Sequence, residues 1–544
     1  MEGIQIPVDI LHWTLALLPM VVLLVLMVFA RWRGTEAGPI GMFAAGIIAL
    51  LAFRTPLDTL AVAGAKGVWD ALFILYVVWP ALLLYQVVDQ AGGFDALRQG
   101  IARFSRNELF IIIALGWIFS SFLQGVAGFG TPIAVVAPLL VAIGVRPVYA
   151  VSIPLVSHLW AKFFGTLSVG WLATLQVVDL NNVTSTAFQT GLLLIITALS
   201  GGFFVAWLYG RWAAVRHAWP LVLILGLIQG GGQTLLTLVD PVPSAFLAGT
   251  AAMIALYPLS RWKRYAEPPQ DIPERPAMRE DHLDAGDAGE EHAPVMNLVM
   301  SFFPYIVLTA VTLAVLLIGP LNAALGALDV GLPFPAVETG YGIRNEATAP
   351  YSPFAPLTHP GTYLLVSSLI TWLVYRSRGF YREWAQREQT DSIWQQLVAD
   401  AVPASVPVIA FLVMSRVLDH TGQTTVLALG TANVSPPLVY AVLANAIGAL
   451  GAFMTSSSTS SNVLFADLQA TVADLHELPQ ETIIAAQSAG GAIGNAVAPA
   501  NIVLGASTAG IKGQEGAVLR QVMPWTLITV LLTGLATLAL VVFN

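Results

Sequence analysis

Two stretches concentrate polar and glycine residues inside otherwise apolar sequence. In residues 455–462, seven consecutive hydroxyl residues and an asparagine separate two apolar runs, 438–454 and 463–465. Residues 124–132 are glycine-rich and also lie between apolar arms. Because unpaired polar groups in lipid cost several kcal/mol each, both stretches are expected to line a cavity or a protein interior. Paired interruptions at corresponding places in two halves of a membrane chain are typical of a secondary transporter's binding site.

The residues of both stretches suit the binding of an anion, and we predict that they bind substrate. Gly128 and Gly130 permit close approach of the backbone to a ligand. Thr131 offers a hydroxyl, and Pro132 suits the first turn of a helix, whose free N–H groups favour an anion. The second stretch supplies hydroxyl and amide donors for a carboxylate: Ser458, Thr459, Ser460, Ser461 and Asn462. The alternative is that these small residues only permit close helix packing in lipid.

Each stretch is followed by an apolar segment that is interrupted by polar or glycine residues. The first interruption, residues 157–165, contains His158 and Lys162, whose spacing of four places them on one helix face. A lysine inside the membrane is a functional candidate, and Lys162 is a possible counter-charge for a carboxylate. His158 titrates near neutrality and is a candidate for proton coupling. The alternatives are a Lys162 side chain that extends to the membrane interface and a hydrogen-bonded core histidine.

The second interruption, residues 487–501, is uncharged. Gly490 and Gly491 are expected to let the helix unwind, and Asn495 offers an amide; we predict that all three bind substrate. Asp467, on the return arm of the second stretch, faces either the site or a partner helix and is a second candidate for proton coupling. Asp70 and Asp400 lie near the starts of apolar runs and are expected at the membrane interface.

The sequence favours neither an enzyme nor a metal or cofactor protein. It contains no HExxH, Walker A or GxSxG pattern, and with no cysteine it has no thiolate ligand set or disulfide framework. No long basic loop indicates nucleic-acid binding. We therefore predict no enzyme activity, no cofactor, no metal and no nucleic-acid partner.

The composition indicates a polytopic membrane protein. Of 544 residues, 56% are hydrophobic and only 10% are charged, whereas a soluble domain carries roughly 25% charged residues. The N-terminal residues 1–12 are acidic and lack a basic region, so no cleaved signal peptide is predicted.

Apolar runs near the ~20 residues that cross a bilayer predict an all-α protein with about twelve spans, two re-entrant hairpins and two broken helices. The first half, 1–262, holds hairpin 109–145 and broken helix 147–178. A charged, proline-containing linker, 263–297, leads to the second half, 298–544, with hairpin 438–478 and broken helix 481–510. The predicted spans are 11–30, 38–53, 68–88, 147–178, 187–209, 218–238, 244–262, 298–318, 362–375, 399–418, 481–510 and 522–543.

Basic residues predict the orientation by the positive-inside rule. Most arginines and lysines outside the apolar runs lie on one side of the membrane if each hairpin returns to the membrane face from which it enters. Arg54, Lys66 and Arg344 are exceptions. This arrangement places both termini outside and the linker in the cytoplasm. The first hairpin then enters from the cytoplasm and the second from outside, so the two halves form an inverted repeat.

Three segments resemble the bacterial L-lactate permease family. They are GVAGFGTPIAVVAPLL at 125–140, GAFMTSSSTSSNVLF at 451–465 and AQSAGGAIGNAVAPANIV at 486–503. The resemblance implies a fold with inverted repeats, an inner-membrane location, and proton-coupled uptake of lactate, glycolate or a related 2-hydroxy monocarboxylate. Residues 157–162 match no signature of that family, which leaves a larger or more acidic organic anion as an alternative.

The leading hypothesis is therefore a secondary carrier that takes up a small organic anion with protons by alternating access. A Na⁺-coupled carrier of another organic anion is the first alternative, because backbone carbonyls at the two tips can also coordinate Na⁺. An anion channel and a membrane-embedded enzyme are alternatives of other classes. The expected partners are the anion, protons or Na⁺, and the lipid bilayer, with the protein as a monomer or a homodimer.

The orientation yields a labelling prediction. A single cysteine introduced at Asp284, in the linker, should stay unlabelled by an impermeant thiol reagent added to intact cells, whereas a cysteine within residues 319–361 should react. The chain has no cysteine of its own, so no background needs to be removed. External labelling at Asp284 would contradict the predicted topology.

Overall fold

The computed structural model describes residues 6–30, 32–102, 104–128, 130–269, 271–279, 293–386 and 392–543. Residues 280–292 of the linker, including Asp284, lie outside these ranges. Within them the chain is almost entirely helical, as the apolar runs predict. The predicted all-α polytopic class is therefore confirmed.

The helices of the first half are α1 (Ile10–Leu24), α2 (Gly34–Ala52), α3 (Leu57–Asp89), α4 (Gly93–Ala102), α5 (Glu108–Ile113), α6 (Ser120–Val126), α7 (Thr131–Ala142), α8 (Pro147–Ser157), α9 (Gly165–Val177), α10 (Val183–Gly226), α11 (Gly232–Leu236), α12 (Ser244–Ser260) and α13 (Lys263–Ala266). Short π-helical segments follow α1, α5 and α10: Val25–Phe29, Ala114–Phe119 and Leu227–Gly231.

The second half continues with α14 (Leu298–Leu317), α15 (Gly319–Gly326), α16 (Pro360–Arg378), α17 (Phe380–Ala385), α18 (Ile393–His420), α19 (Gln423–Val434), α20 (Pro437–Thr455), α21 (Ser458–Leu475), α22 (Gln480–Gly494), α23 (Pro499–Thr508) and α24 (Glu515–Phe543).

Asparagine side chains cap several of these helices at their N-termini. The Asn107, Asn182 and Asn297 amide oxygens each accept a backbone N–H three residues on, at distances of 2.9–3.1 Å. Each cap pairs one of the N–H groups that a helix start leaves without a partner. The chain thus marks three helix starts locally, before any tertiary contact forms.

Nine helices in the described part of the chain are long and apolar enough to cross a membrane, or ten if the bent pair α22–α23 is one span. The predicted number was about twelve. Two predicted spans, 187–209 and 218–238, form one continuous candidate, Val183–Leu236, which departs from helical geometry at Gly210 and Arg211. Helix α12 is short, and the fairly polar α16 is not among the candidates. Two of the nine, Glu108–Val126 and Pro437–Thr455, are the first arms of the predicted hairpins.

Residues 319–361, predicted as a loop, contain a short helix and four strands. Strand β1 (Val330–Phe334) pairs antiparallel with β4 (Thr348–Phe354), and β2 (Val337–Glu338) pairs with β3 (Arg344–Asn345). We call residues 330–354 the β segment. Its residues bond to α3: Trp69 Nε1 donates to Ser352 O at 3.1 Å. The prolines and glycines of this stretch had hidden the strand pattern.

Close backbone contact joins α20 to α22, and glycines make it possible. A Cβ on Gly490 would overlap the carbonyl oxygen of Asn445, and one on Gly494 would overlap that of Ala449. Gly448 has the same relation to the Gln487 carbonyl. Gly490 therefore permits close helix packing, which was the alternative interpretation of the small residues in this sequence.

This contact predicts a steric effect of a single methyl group. Gly490→Ala should lower the free energy of unfolding by about 1–3 kcal/mol, the usual cost of overpacking, because the Asn445 carbonyl lies where the methyl must go. Gly64→Ala on α3 is the matched control, since nothing lies within 4 Å of its added Cβ. Thermal unfolding in detergent measures both, and equal melting temperatures would contradict the packing role of Gly490.

Candidate functional site

The first tip lies between α6 and α7, and its glycines bring it against the first broken helix. Gly128 N–H donates to Thr166 Oγ1 at 2.8 Å, and a Cβ on Gly128 would overlap that oxygen. Gly130 has φ +90°, which favours glycine, and a Cβ there would lie 2.5 Å from Leu504 Cδ2. Thr131 begins α7, with Pro132 in its first turn. The tip thus contacts both broken helices.

The break between α8 and α9 contains a backbone conformation that side chains rarely adopt. Thr166, Leu167 and Ser168 have φ of 52°, 47° and 64°, so they form one left-handed turn. Ser168 Oγ donates to Pro241 O at 2.7 Å, and Thr166 accepts the Gly128 N–H. The turn is held by hydrogen bonds from two other segments.

His158 and Lys162 both lie in this break. Helix α8 ends at Ser157, and Leu159–Ala161 form a 3₁₀ turn. The prediction that the two side chains share an α-helical face is therefore wrong, because the helix ends before it can carry a spacing of four. His158 is fully buried; its Nδ1 lies 3.1 Å from Ser120 Oγ, and its Nε2 has no partner in the described part of the chain.

Lys162 is 9% exposed and forms no ion pair or side-chain hydrogen bond with any residue in the ranges that the structure describes. Asp467, the alternative partner predicted from the sequence, does not pair with it. Asp467 instead interacts electrostatically with Arg416 and Asp419 of α18. Near the same break, Gln124 is 3% exposed and its Oε1 lacks a partner among the described residues. Gln124 begins the glycine-rich stretch 124–132 but was not among the residues predicted to bind substrate.

The second tip divides its polar side chains into two groups. Ser461 Oγ donates to Gly448 O at 2.7 Å, and Asn462 Nδ2 donates to Ser458 O at 2.9 Å. By contrast, the hydroxyls of Ser458, Thr459 and Ser460 form no hydrogen bond with the described residues. The second group is therefore available to a ligand, whereas the first is engaged within the protein.

Two side chains of α22 extend the engaged group into a network. Gln487 Nε2 donates to Ser461 Oγ at 3.1 Å, and Ser488 Oγ donates to Asn462 Oδ1 at 3.0 Å. Gln487 Oε1 accepts from Gln469 Nε2 at 3.0 Å. A Cβ on Gly491 would lie 3.3 Å from Asn462 Nδ2, so this glycine faces the tip.

The second broken helix breaks within the predicted interruption, residues 487–501, but beyond its first two glycines. Gly490 and Gly491 remain inside α22, and the break falls at Asn495–Val497, a 3₁₀ turn that leads to a bend of 41° before α23. The helix does not unwind at Gly490 and Gly491 as predicted, since Gly490 packs on α20 and Gly491 faces the second tip. Asn501 Nδ2 donates to Asn495 O at 3.1 Å, and the same carbonyl accepts the Ala498 N–H, so two hydrogen bonds hold it at the break.

The two breaks meet in the interior. Trp160 and Phe163 of the first break belong to one apolar cluster with Ala486 and Ala489 of α22. Together with the contact of Gly130 and Leu504, this packing gathers both tips and both breaks in one region. It brings together the residues predicted as the site, with Asp467 on the far side, towards α18.

The family model described as L-lactate permease matches residues 13–543, nearly the whole chain. The chain belongs to the L-lactate permease family. It is thus a multi-pass membrane permease.

Several curated members of the permease family match along most of their length. The chain is 24% identical to an L-lactate permease of Halalkalibacterium halodurans over 94% of this chain and 93% of that one. It is 24% identical to the glycolate permease GlcA of Escherichia coli and 26% identical to an L-lactate permease of Salmonella typhi, each over 96% of this chain and 94% of the relative.

A solved structure, that of the Alcanivorax borkumensis YdaH transporter, is also similar. The identity is 14% and the TM-score 0.40, over 86% of this chain and 85% of that one. So distant a likeness carries no argument about this permease.

The division of the second tip predicts different effects when two neighbouring serines of this permease are replaced: lower stability for one and weaker ligand binding for the other. Ser461→Ala should lower the free energy of unfolding by about 1–3 kcal/mol, because it removes the donor to the Gly448 carbonyl and one of the two acceptors of Gln487 Nε2 in a buried network. Ser460→Ala should leave the melting temperature unchanged and weaken binding of L-lactate, the test carboxylate, by about tenfold, since hydrogen bonds to charged groups contribute roughly 1.5–3 kcal/mol. Thermal unfolding with and without L-lactate separates them; a reversed pattern would contradict the assignment.

Proposed function

We propose that this permease takes up a small organic anion, L-lactate or a related 2-hydroxy monocarboxylate such as glycolate, by proton symport with alternating access in a bacterial inner membrane. Family membership supports the class of substrate, since the named relatives are lactate and glycolate permeases. The proton coupling and the orientation, with both termini outside, are part of the proposal. The predicted halves, 1–262 and 298–544, would move against each other.

The observation that carries the proposal is the unpaired Lys162. A buried ammonium group without a counter-charge is costly in low dielectric, and no described carboxylate supplies one. The carboxylate of a substrate is the simplest partner. A monocarboxylate would neutralise one lysine without leaving a second charge unpaired.

Uncommitted hydroxyls at the tips support a 2-hydroxy acid in particular. Ser458, Thr459 and Ser460 have no partner among the described residues, and Thr131 likewise uses its hydroxyl in no described contact. A hydroxyl both donates and accepts, so this group suits a ligand that carries a carboxylate and an adjacent hydroxyl. A simple carboxylate such as acetate would leave part of the set unused.

Reconstitution tests the proposed function. Proteoliposomes with an inward proton gradient should accumulate labelled L-lactate or glycolate, and counterflow should proceed without any gradient. Accumulation that needs Na⁺ rather than protons would favour the Na⁺-coupled alternative. Efflux without counterflow would indicate a channel. Chemical conversion of the substrate would indicate an enzyme.

The unpaired lysine yields a prediction with a matched control. Lys162→Met keeps the length of the side chain and removes its charge, so L-lactate binding should fall by at least about tenfold while the melting temperature holds or rises. Lys512→Met, an exposed lysine, should change neither. Affinity from ligand-dependent thermal shifts decides the matter, and unchanged affinity in Lys162→Met would remove this residue from the site.

A further inference from the structure

A second group of buried charges lies away from the two tips, between α3, α18 and the β segment. Asp70 of α3 is fully buried, and its Oδ2 accepts from Arg416 Nε at 2.7 Å and from Tyr351 OH at 3.1 Å. Asp70, predicted at the membrane interface, lies inside α3, which begins at Leu57, and is covered by protein on the side of α18 and the β segment. Arg416 was hidden within the predicted span 399–418.

The other charged groups of this cluster come from three elements. On α3, Lys66 is 4% exposed, and its Nζ lies 3.3 Å from His420 Nε2 and 5.0 Å from the centre of the Tyr351 ring. On α18, His420 Nδ1 lies 3.3 Å from an Asp419 carboxylate oxygen. From α21, Asp467 faces Arg416 and Asp419.

The cluster holds more carboxylates than cations. Lys66 and Arg416 face the three carboxylates of Asp70, Asp419 and Asp467, and the imidazole of His420 lies between Lys66 and Asp419. An excess of one negative charge is unfavourable in a low-dielectric interior. One bound proton balances the cluster.

Asp70 is the carboxylate best placed to hold that proton. Its Oδ1 is buried and has no hydrogen-bond partner in the ranges that the structure describes, whereas Oδ2 is doubly paired. The Asp419 side chain, in contrast, is 45% exposed and lies 3.3 Å from His420 Nδ1. A buried carboxylate oxygen without a donor is costly when ionised, and a proton on it removes that cost.

We propose that Asp70 binds the coupling proton of the transport cycle and that Arg416, its partner, links this proton to the substrate site. The proposal rests on the proton symport proposed above. A proton from one side of the membrane bonds to Oδ1 and leaves to the other side after the conformational change. While Asp70 is neutral, Arg416 loses its ion-pair partner at 2.7 Å and keeps its bond to the Gln176 carbonyl of α9.

A direct contact connects this pair to the broken helix. Arg416 also donates to the backbone carbonyl of Gln176, in the last turn of α9, whose first turn is the left-handed one beside Lys162. Ser352 of the β segment donates to the Gln176 side chain at 2.6 Å. A change of charge at Asp70 therefore acts on both ends of α9 and on the segment that covers the cluster.

Reconstitution of the full chain with Asp70→Asn tests the inference. A one-to-one symporter accumulates substrate about tenfold per unit of pH gradient. The variant should catalyse L-lactate counterflow at close to the wild-type rate but accumulate no L-lactate under an inward proton gradient, and lactate should no longer raise the external pH. Asp58→Asn, an exposed aspartate of the same helix, is the control and should behave as wild type.

Each other outcome has a defined meaning. If the wild type itself shows no gradient-driven accumulation, the proposed symport fails. If the wild type accumulates L-lactate and Asp70→Asn does so equally, only the role of Asp70 is overturned. Loss of coupling in Asp467→Asn or Asp419→Asn, with Asp70→Asn still coupled, also overturns it.

A second variant covers the case in which Asp70→Asn does not fold because Arg416 is left unpaired. Asp70→Glu keeps an ionisable group and the ion pair, so gradient-driven uptake should persist with a pH profile displaced from that of the wild type. A structural ion pair predicts an unchanged profile, and that result would overturn the proposal.

Discussion

Every break in a membrane helix leaves backbone groups that lipid cannot pair, and the centre of this protein is arranged around that constraint. At the first break, Thr166 accepts the N–H of Gly128 from another segment. At the second tip, Ser457 Oγ accepts the Ser460 N–H, and at the second break Asn501 pairs the Asn495 carbonyl. Two of these partners lie on the tip or break itself and the third joins the first tip to the first break, so each interruption of a helix is paired within the protein.

The two halves meet this constraint by different chemistry. In the first half, glycines let backbone approach backbone and side chain, as at Gly128 and Gly165. In the second, a chain of amides and hydroxyls, Gln469, Gln487 and Ser461, carries the pairing. One consequence is that the polar groups left over are also different: an ammonium group from the first half and a set of hydroxyls from the second.

Sequence patterns predicted the elements well where a single physical rule governs them. The lengths of the apolar runs predicted the helices. The polar run of residues 455–462 predicted a hairpin tip, because lipid excludes such runs. Predictions from residue type and spacing were wrong where a contact between distant segments determines the local structure. Gly490 looked like a point of unwinding, yet it stays helical because Asn445 of another helix lies against it. The ion pair of Arg416 could not be predicted from the apolar run that contains this residue, since its partner Asp70 is distant in sequence.

The left-handed turn at Thr166–Ser168 has a consequence for the resting balance between conformations. Each residue other than glycine held in that region costs about 1–2 kcal/mol relative to a right-handed turn, and three of them are adjacent. A state in which this turn unwinds would recover that free energy, offset by the hydrogen bonds of Thr166 and Ser168. The second break contains no such turn among its described residues. The two breaks therefore store different amounts of backbone strain, so in the proposed transport cycle the two halves would contribute unequally to the balance between its conformations.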